Sequence, residues 1–260
     1  MKSGMKTPSP LPDDTIASRD TRLSGGWTIP KPPRFAFVIP VYNHEENVVQ
    51  VVEGALSFGF PVFVVEDGST DRTRERLRAV KGIRLLTHTI NRGKGAALLT
   101  GFSAAAAHAD FAITLDADGQ HDPHHADRLI RAVKPHERPM VVGCRESMYD
   151  PSIPWTSRFG RKFSNFWVWM AGGPRLSDTQ SGFRLYPLPE TLWLKANARR
   201  FAFEVEIIVL ARRKNIQVRQ VPVGVDYEPE GSRVSHFRPF VDFWHNAFTF
   251  TRLILTRPFS

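Results

Sequence analysis

Asp116 and Asp118 stand one residue apart where an apolar run ends, in ITLDADGQHDP at 113–123. Carboxylates that close repel each other unless a positive charge lies between them. On an extended chain, residues i and i+2 share a face, so this spacing aims both acids the same way and lets Gln120 follow. Two carboxylates and an amide oxygen suit a hard divalent cation. Mg²⁺ or Mn²⁺ held by so few protein ligands completes its shell with water and substrate phosphates. The expected cofactor is therefore Mg²⁺ or Mn²⁺ shared with a diphosphate, bound by Asp116, Asp118 and Gln120. A calcium loop is excluded, because the sixth place from Asp116 holds His121 instead of glycine and the twelfth holds Asp127. His121, His124 and His125 open a helix with no cysteine nearby, which argues against zinc.

Two other strand ends are as polar, in PVYNHEEN and EDGSTD. Asn43 and Ser69 or Thr70 read as helix caps, Gly68 as a turn residue, and Pro123 as a first helical residue behind Asp122. Capping leaves Asp67, Asp116 and Asp118 unexplained as a set. The stretch NRGKGAALLTGF at 91–102 lacks the Walker spacing, and Leu98 stands where a dinucleotide fingerprint needs its third glycine. It reads either as a helix start that binds an anion through free N–H groups beside Arg92 and Lys94, or as a solvated basic turn.

Such residues need a scaffold that brings strand ends together. From Arg34 onward, short β-branched or aromatic runs (FAFVIPV, PVFVVE, IRLLTH, FAITLD, PMVVGC) alternate with helical patterns. The expected fold class is α/β, a mostly parallel central sheet with helices on both faces, binding ligands beyond the carboxyl ends of the strands. Residues 1–33 are rich in proline, serine and charge and read as a loosely attached tail. A 260-residue chain with 42% apolar residues can bury one sizeable core. Its only cysteine, Cys144, excludes an internal disulfide framework, fits a reducing compartment, and reads as a small buried residue.

The formal charge of +9 points to a phosphate-bearing partner or an anionic membrane. No signal peptide and no apolar run of about 18 residues is visible, so membrane contact is expected from one side only. On a helical wheel, Trp155, Phe159, Phe163, Phe166, Trp167 and Met170 oppose Arg158, Arg161, Lys162 and Asn165. Residues 237–257 repeat the plan with Phe240, Phe243, Trp244, Phe248 and Phe250 facing away from Asp242, Asn246 and Arg252; Leu253 breaks it. Such faces either pack on the domain or dock on anionic lipid. No RNA- or DNA-binding motif appears, and nucleic acid is not an expected partner.

With VIPVYNHEENV, VVEDGSTDRT, NRGKGAALLTGF, TLDADGQHDP and DTQSGFRLYP in this order, the chain resembles a family 2 glycosyltransferase, close to the dolichol-phosphate mannose synthase type. The resemblance implies a GT-A fold, placed at residues 34–236, and the wheel pattern adds a C-terminal amphipathic interfacial helix at 237–260. The resemblance further implies a nucleotide-sugar donor, Mg²⁺ or Mn²⁺, and inverting transfer of one sugar, often to a lipid (polyprenyl) phosphate. Carried over by motif, Pro40, Tyr42 and Asn43 line the nucleobase pocket with Glu45 alongside, Asp67 accepts from the base, and Lys94 lies near it. Asp116 faces the ribose or metal, and Asp118 with Gln120 holds the metal. Arg158, Arg175 and Ser181 match positions that bind a lipid phosphate, and Arg233 or Arg238 stands in for a missing basic loop residue. A hydroxyl acceptor would need a general base, for which Asp178 is the candidate, with Glu204 or Glu206 behind it; the two glutamates read equally as ion-pair partners of Arg199, Arg200, Arg212 or Arg213. The implied location is cytoplasmic, peripheral on that face of the membrane. Rival readings are a haloacid dehalogenase-like phosphohydrolase and a non-catalytic nucleotide-sugar or lipid-binding protein. Gln120, standing where the phosphohydrolases usually carry threonine, argues against the former.

Overall fold

The computed structural model describes residues 32–145, 155–200, 202–224 and 249–256; the expected tail and Arg233 lie outside them. Seven strands form one sheet: β1 (Phe35–Val41), β2 (Val62–Asp67), β3 (Ile83–His88), β4 (Phe111–Thr114), β5 (Met140–Arg145), β6 (Arg184–Pro187) and β7 (Val218–Val223). Their order is β3-β2-β1-β4-β6-β5-β7. The first four pair in parallel, β6 runs antiparallel to β4 and β5, and β7 lies parallel to β5. The apolar runs predicted the first five strands. The last two escaped notice: β6 opens on Arg184 and ends on Pro187, and Pro222 interrupts β7, a defect tolerated because β7 lies at the sheet edge.

The sheet is covered on both faces, which is why β1 reads as unbroken apolar sequence. Its residues alternate between two cores. Ala36 and Val38 join Phe102, Val168, Phe203 and Ile208, whereas Phe37, Ile39 and Val41 join Val48, Val52, Leu77 and Leu129. The first core lies under α3 (Lys94–Ala105), α5 (Trp155–Met170) and α7 (Ala202–Arg213). The second lies under α1 (Val48–Leu56), α2 (Thr73–Ala79) and α4 (Ala126–Arg131). Between strands and helices, α6 (Glu190–Trp193) is a single turn. A helix at 249–255, here α8, sets Phe250 and Leu253 in the first core and bonds Arg252 to the buried Glu206. Leu253, which broke the wheel, is thus an inward anchor, and this stretch packs on the domain. Cys144 ends up half-buried near the end of β5, more open than its sequence reading.

The buried stripe of α5 cuts across the expected wheel: Arg161 of the polar side turns in while Lys162 is exposed, and Trp167 of the apolar side packs against the first core. Arg161, Ser164 and Val168 are buried, whereas Phe166, Trp169 and Met170 are 50%, 42% and 39% exposed. Among the described residues, no helix is long and apolar enough to cross a membrane.

Close packing of α3 on the sheet depends on Gly101, where an added Cβ would overlap the Val38 side chain and approach Val65. Replacing it with a branched residue forces the helix off β1, a cost that outweighs the few tenths of a kcal/mol gained in helix propensity. Gly101→Val is expected to cost about 3 kcal/mol, read as a lower urea midpoint with an unchanged slope.

Candidate active site

The parallel strands deliver their carboxyl ends to one edge, and side chains sew the loops there together. After β1, Asn43 adopts a positive φ of 54°. Its N–H donates to Ser69 Oγ (3.1 Å), its side-chain amide to Thr70 Oγ1 (3.2 Å), and its Oδ1 accepts from Thr70 N–H (2.8 Å). Asn43, Ser69 and Thr70 therefore bond to each other and do not cap α1 or α2: Asn47 and Arg72 occupy those cap positions, and neither side chain bonds to its own helix end. By contrast, Asp122 caps as expected, accepting from His124 N–H with Pro123 behind it. Glu45 is taken up by Arg72, accepting from its backbone N–H at 2.9 Å and its guanidinium at 3.3 Å. Pro40 is buried within β1, paired opposite Val65, while Tyr42 sits half-buried just past the strand end. Asn47 then donates to the Asp118 carbonyl at 2.9 Å, joining the first loop to the loop after β4.

Asp67, the last residue of β2, is almost wholly buried. Its Oδ1 accepts from Arg92 N–H (3.0 Å) and lies 2.6 Å from His88 Nδ1; its Oδ2 accepts from Gly93 N–H (2.7 Å). The basic turn ahead of α3 is thus clamped to β2 by a carboxylate. Gly93 makes this possible with φ at 92°, where an L side chain is strained and a Cβ would meet the Arg199 carbonyl at 2.6 Å.

Beyond β4 the chain leaves the extended conformation. Thr114 is the last strand residue, and Asp118 lies in a turn that Gly119 completes at φ 77°. The shared face expected from an extended i, i+2 pair is therefore replaced by a turn, in which Asp118 Oδ1 accepts from Gln120 N–H at 3.0 Å. The two acids nonetheless feel each other. Burial, and then the charge of Asp116, push the Asp118 carboxyl up to about 6. Burial works against ionisation of Asp116 as well, but the Lys94 ammonium overrides it and holds that carboxyl below its usual range. Lys94 Nζ lies 2.6 Å from Asp116 Oδ1 and 2.5 Å from Glu204 Oε1. Burial disfavours the ammonium, yet the two carboxylates raise its pKa. The resemblance put Lys94 near the base; here its ammonium sits on Asp116. His121, buried against Phe183, is driven by burial down to about 4 and is neutral. Lys94, Asp116 and Glu204 together carry one negative charge, and an ionised Asp118 makes two.

Across the site lies a second buried ion pair. Arg145, the last residue of β5, holds Asp178 through Nε to Oδ2 (2.6 Å) and NH2 to Oδ1 (2.9 Å), while Gln180 N–H also donates to Oδ1. Burial would raise the Asp178 carboxyl, but Arg145 and then Arg161 draw it below its ordinary value. A general base needs a raised pKa and a lone pair facing substrate. Asp178 has the opposite shift and a fork on both oxygens, which suits it to holding Arg145 in place. Ser181 is buried, its hydroxyl accepting from Phe183 N–H at 3.3 Å. Arg175 is exposed and stacks on Trp169 at 5.0 Å, away from this pair. Arg158 lies on α5 with its side chain outside the described residues. The glutamates are ion-paired as one reading expected, but with other partners: Glu204 with Lys94, Glu206 with Arg252.

Sequence reading missed three contributors. Arg145 and His88 each terminate a strand, the same signal that picked out Asp67. Arg161 was assigned to a solvated face, yet it is 4% exposed with NH1 unpartnered among the described residues.

The family model for glycosyl transferase family 2 matches residues 36–204, well over half the chain. The chain belongs to glycosyltransferase family 2. It is 27% identical over 214 residues to a UDP-N-acetylglucosamine–dolichyl-phosphate N-acetylglucosaminyltransferase of Methanococcus voltae, covering 73% of this chain and 84% of that one. A human dolichyl-phosphate beta-glucosyltransferase is 26% identical over 238 residues, covering 81% and 72%. Among solved structures, glucosyl-3-phosphoglycerate synthase of Mycobacterium tuberculosis, in complex with Mg²⁺ and UDP, superposes with a TM-score of 0.59 at 18% identity, over 86% of this chain and 79% of that one. The fold is GT-A, and the family 2 membership sets aside the phosphohydrolase and silent-binder readings in favour of a glycosyltransferase.

The Arg145–Asp178 pair gives a stability test. Arg145→Met removes the guanidinium fork from a buried carboxylate and is expected to cost about 3–5 kcal/mol by chemical denaturation. Adding Asp178→Asn to it should recover a large part of that loss.

Proposed function

We propose that this family 2 glycosyltransferase is an inverting, metal-dependent enzyme moving a sugar from a UDP- or GDP-sugar to a polyprenyl phosphate at a membrane surface. The observation that carries the reading is the excess negative charge of Asp116 and Asp118 at the carboxyl edge of the sheet. Their donor set fits Mg²⁺ or Mn²⁺: two carboxylates and the Gln120 amide are hard oxygen donors, and the Asp118 carboxyl is raised by burial and by the charge of Asp116, which Lys94 offsets only in part. Among the described residues no three His, Cys, Asp or Glu side chains converge into a metal cage, so a cation here would draw its remaining ligands from water and a diphosphate. When bound, it would offset the charge that develops on the departing nucleoside diphosphate.

The chain's own residues supply orientation. Lys94 and Gln120 N–H hold the two carboxylates, and Asn47 ties their loop to the first. Tyr42, Asn43 and Asp67 lie at the neighbouring strand ends, where the base would bind. For the acceptor, a saturated and acidic Asp178 favours a nucleophile that is already anionic, because a phosphate oxygen needs no proton removed before it attacks the sugar. Arg145 and the buried NH1 of Arg161, unpartnered among the described residues, are the cations best placed beside that path, in place of Arg175. Relatives named for dolichyl-phosphate acceptors support the same acceptor class.

A membrane location, on the cytoplasmic face, is supported by the outward side of α5. Phe166, Trp169 and Met170 are exposed beside Lys162 and Arg175, on a chain of net charge +9. Phe166→Ser with Trp169→Ser is expected to reduce co-sedimentation with anionic vesicles severalfold while leaving the melting temperature near wild type.

The reaction itself is tested at Asp118. Asp118→Asn should lower Mn²⁺-supported transfer to a polyprenyl phosphate by roughly a hundredfold or more, the scale of losing one preorganised electrostatic contact. Full transfer by that variant would refute the metal reading.

A further inference from the structure

Lys94 is engaged by two carboxylates from opposite sides of the site, and the fold goes to some length to keep it there. Its helix begins against the entry of α7: Ala96 N–H donates to the Arg199 carbonyl at 3.1 Å, and a Cβ on Gly95 would lie 2.7 Å from both the Ala198 carbonyl and the Phe203 side chain. On the far side, a Cβ on Gly182 would overlap the Asp116 carboxylate and come within 2.6 Å of Lys94 Nζ. The Glu204 carboxylate that shares the ammonium is itself 6% exposed, and its backbone carbonyl accepts from the buried Arg184 at 2.8 Å. An ammonium held this way is a resident cation. Asp116 already has a positive partner on one oxygen before any divalent ion arrives.

Resting on the metal reading above, we infer that Lys94 and Glu204 form a charge-setting pair that makes binding of the divalent ion depend on the donor's diphosphate. Lys94 offsets part of the negative charge a lone cation would need, and its own charge repels that cation. An arriving diphosphate brings negative charge that balances both cations, so ion and nucleotide bind together far better than either binds alone. Glu204 adjusts the bias by sharing the ammonium with Asp116. Lys94 is a positioning residue in this scheme; it need not touch the sugar or the reacting atoms.

The sign of the charge change separates this role from plain structural support. Lys94→Met makes the cluster one charge more negative, and Glu204→Gln makes it one charge less negative. Mn²⁺ binding without nucleotide, followed by the loss of the free-ion paramagnetic resonance signal, should tighten by about tenfold in Lys94→Met and weaken by about tenfold in Glu204→Gln. In the Lys94→Met, Glu204→Gln double variant, which restores the wild-type cluster charge, it should return near the wild-type value. The gain in Mn²⁺ affinity on adding UDP or GDP should shrink in Lys94→Met. Glu204→Gln is isosteric and keeps one partner for Lys94, so it reads out even if Lys94→Met fails to fold. Movement of the folded variants in the same direction, or no change in Glu204→Gln, overturns the inference while leaving the metal site standing. A wild-type protein that takes up no Mn²⁺ with or without nucleotide overturns the metal reading itself.

Discussion

The arrangement rests on a buried charge imbalance at the end of β4. Asp116, Asp118 and Glu204 bring three carboxylates together, burial disfavours ionisation of the first two, and Lys94 answers for one charge. A protein that only had to be stable would replace such a cluster with apolar side chains at little loss or even a gain. Its retention, at the edge where parallel α/β sheets bind ligands, is what gives the site its chemical meaning.

The scaffold positions this cluster by direct backbone contact. Asp67 takes the N–H groups of the turn before α3, which aims Lys94 across at Asp116. Arg184, fully buried, donates to the carbonyls of Thr179, Ser181 and Glu204, tying the loop before β6 to α7. Asn165 donates to the Ser177 carbonyl and accepts from Thr179, so the inward polar face of α5 is bonded to the same loop. The inward side of α5, the 177–184 loop and α7 are therefore bonded into one wall, and Phe166 and Trp169 are left outward.

Much of this was legible in the sequence for a physical reason: strands buried on both faces need long apolar runs, so any acid at their ends stands out. That signal located Asp67, Asp116 and Asp118 and the first five strands. It failed where arginine and proline break up a strand, as in RLYP and VRQVPV, and where a charged residue was buried by a partner distant in sequence. Arg161 and Asp178 are such cases; amphipathicity misplaced the buried stripe of α5, because Arg161, Ser164 and Asn165 are drawn inward, the last by bonds to the 177–179 loop, while Phe166 is left outward. Glu204 was foreseen in an ion pair, yet its partner lies 110 residues away on α3, beyond any local spacing rule.

The most direct measurement is anomalous diffraction at the manganese edge from crystals grown with Mn²⁺ and the nucleoside diphosphate that best stabilises the protein. The account predicts one strong peak between the Asp116 and Asp118 carboxylates, bridging to the diphosphate, with Lys94 still on Glu204. A bound diphosphate with no manganese at those carboxylates, or manganese at some other site, would contradict it.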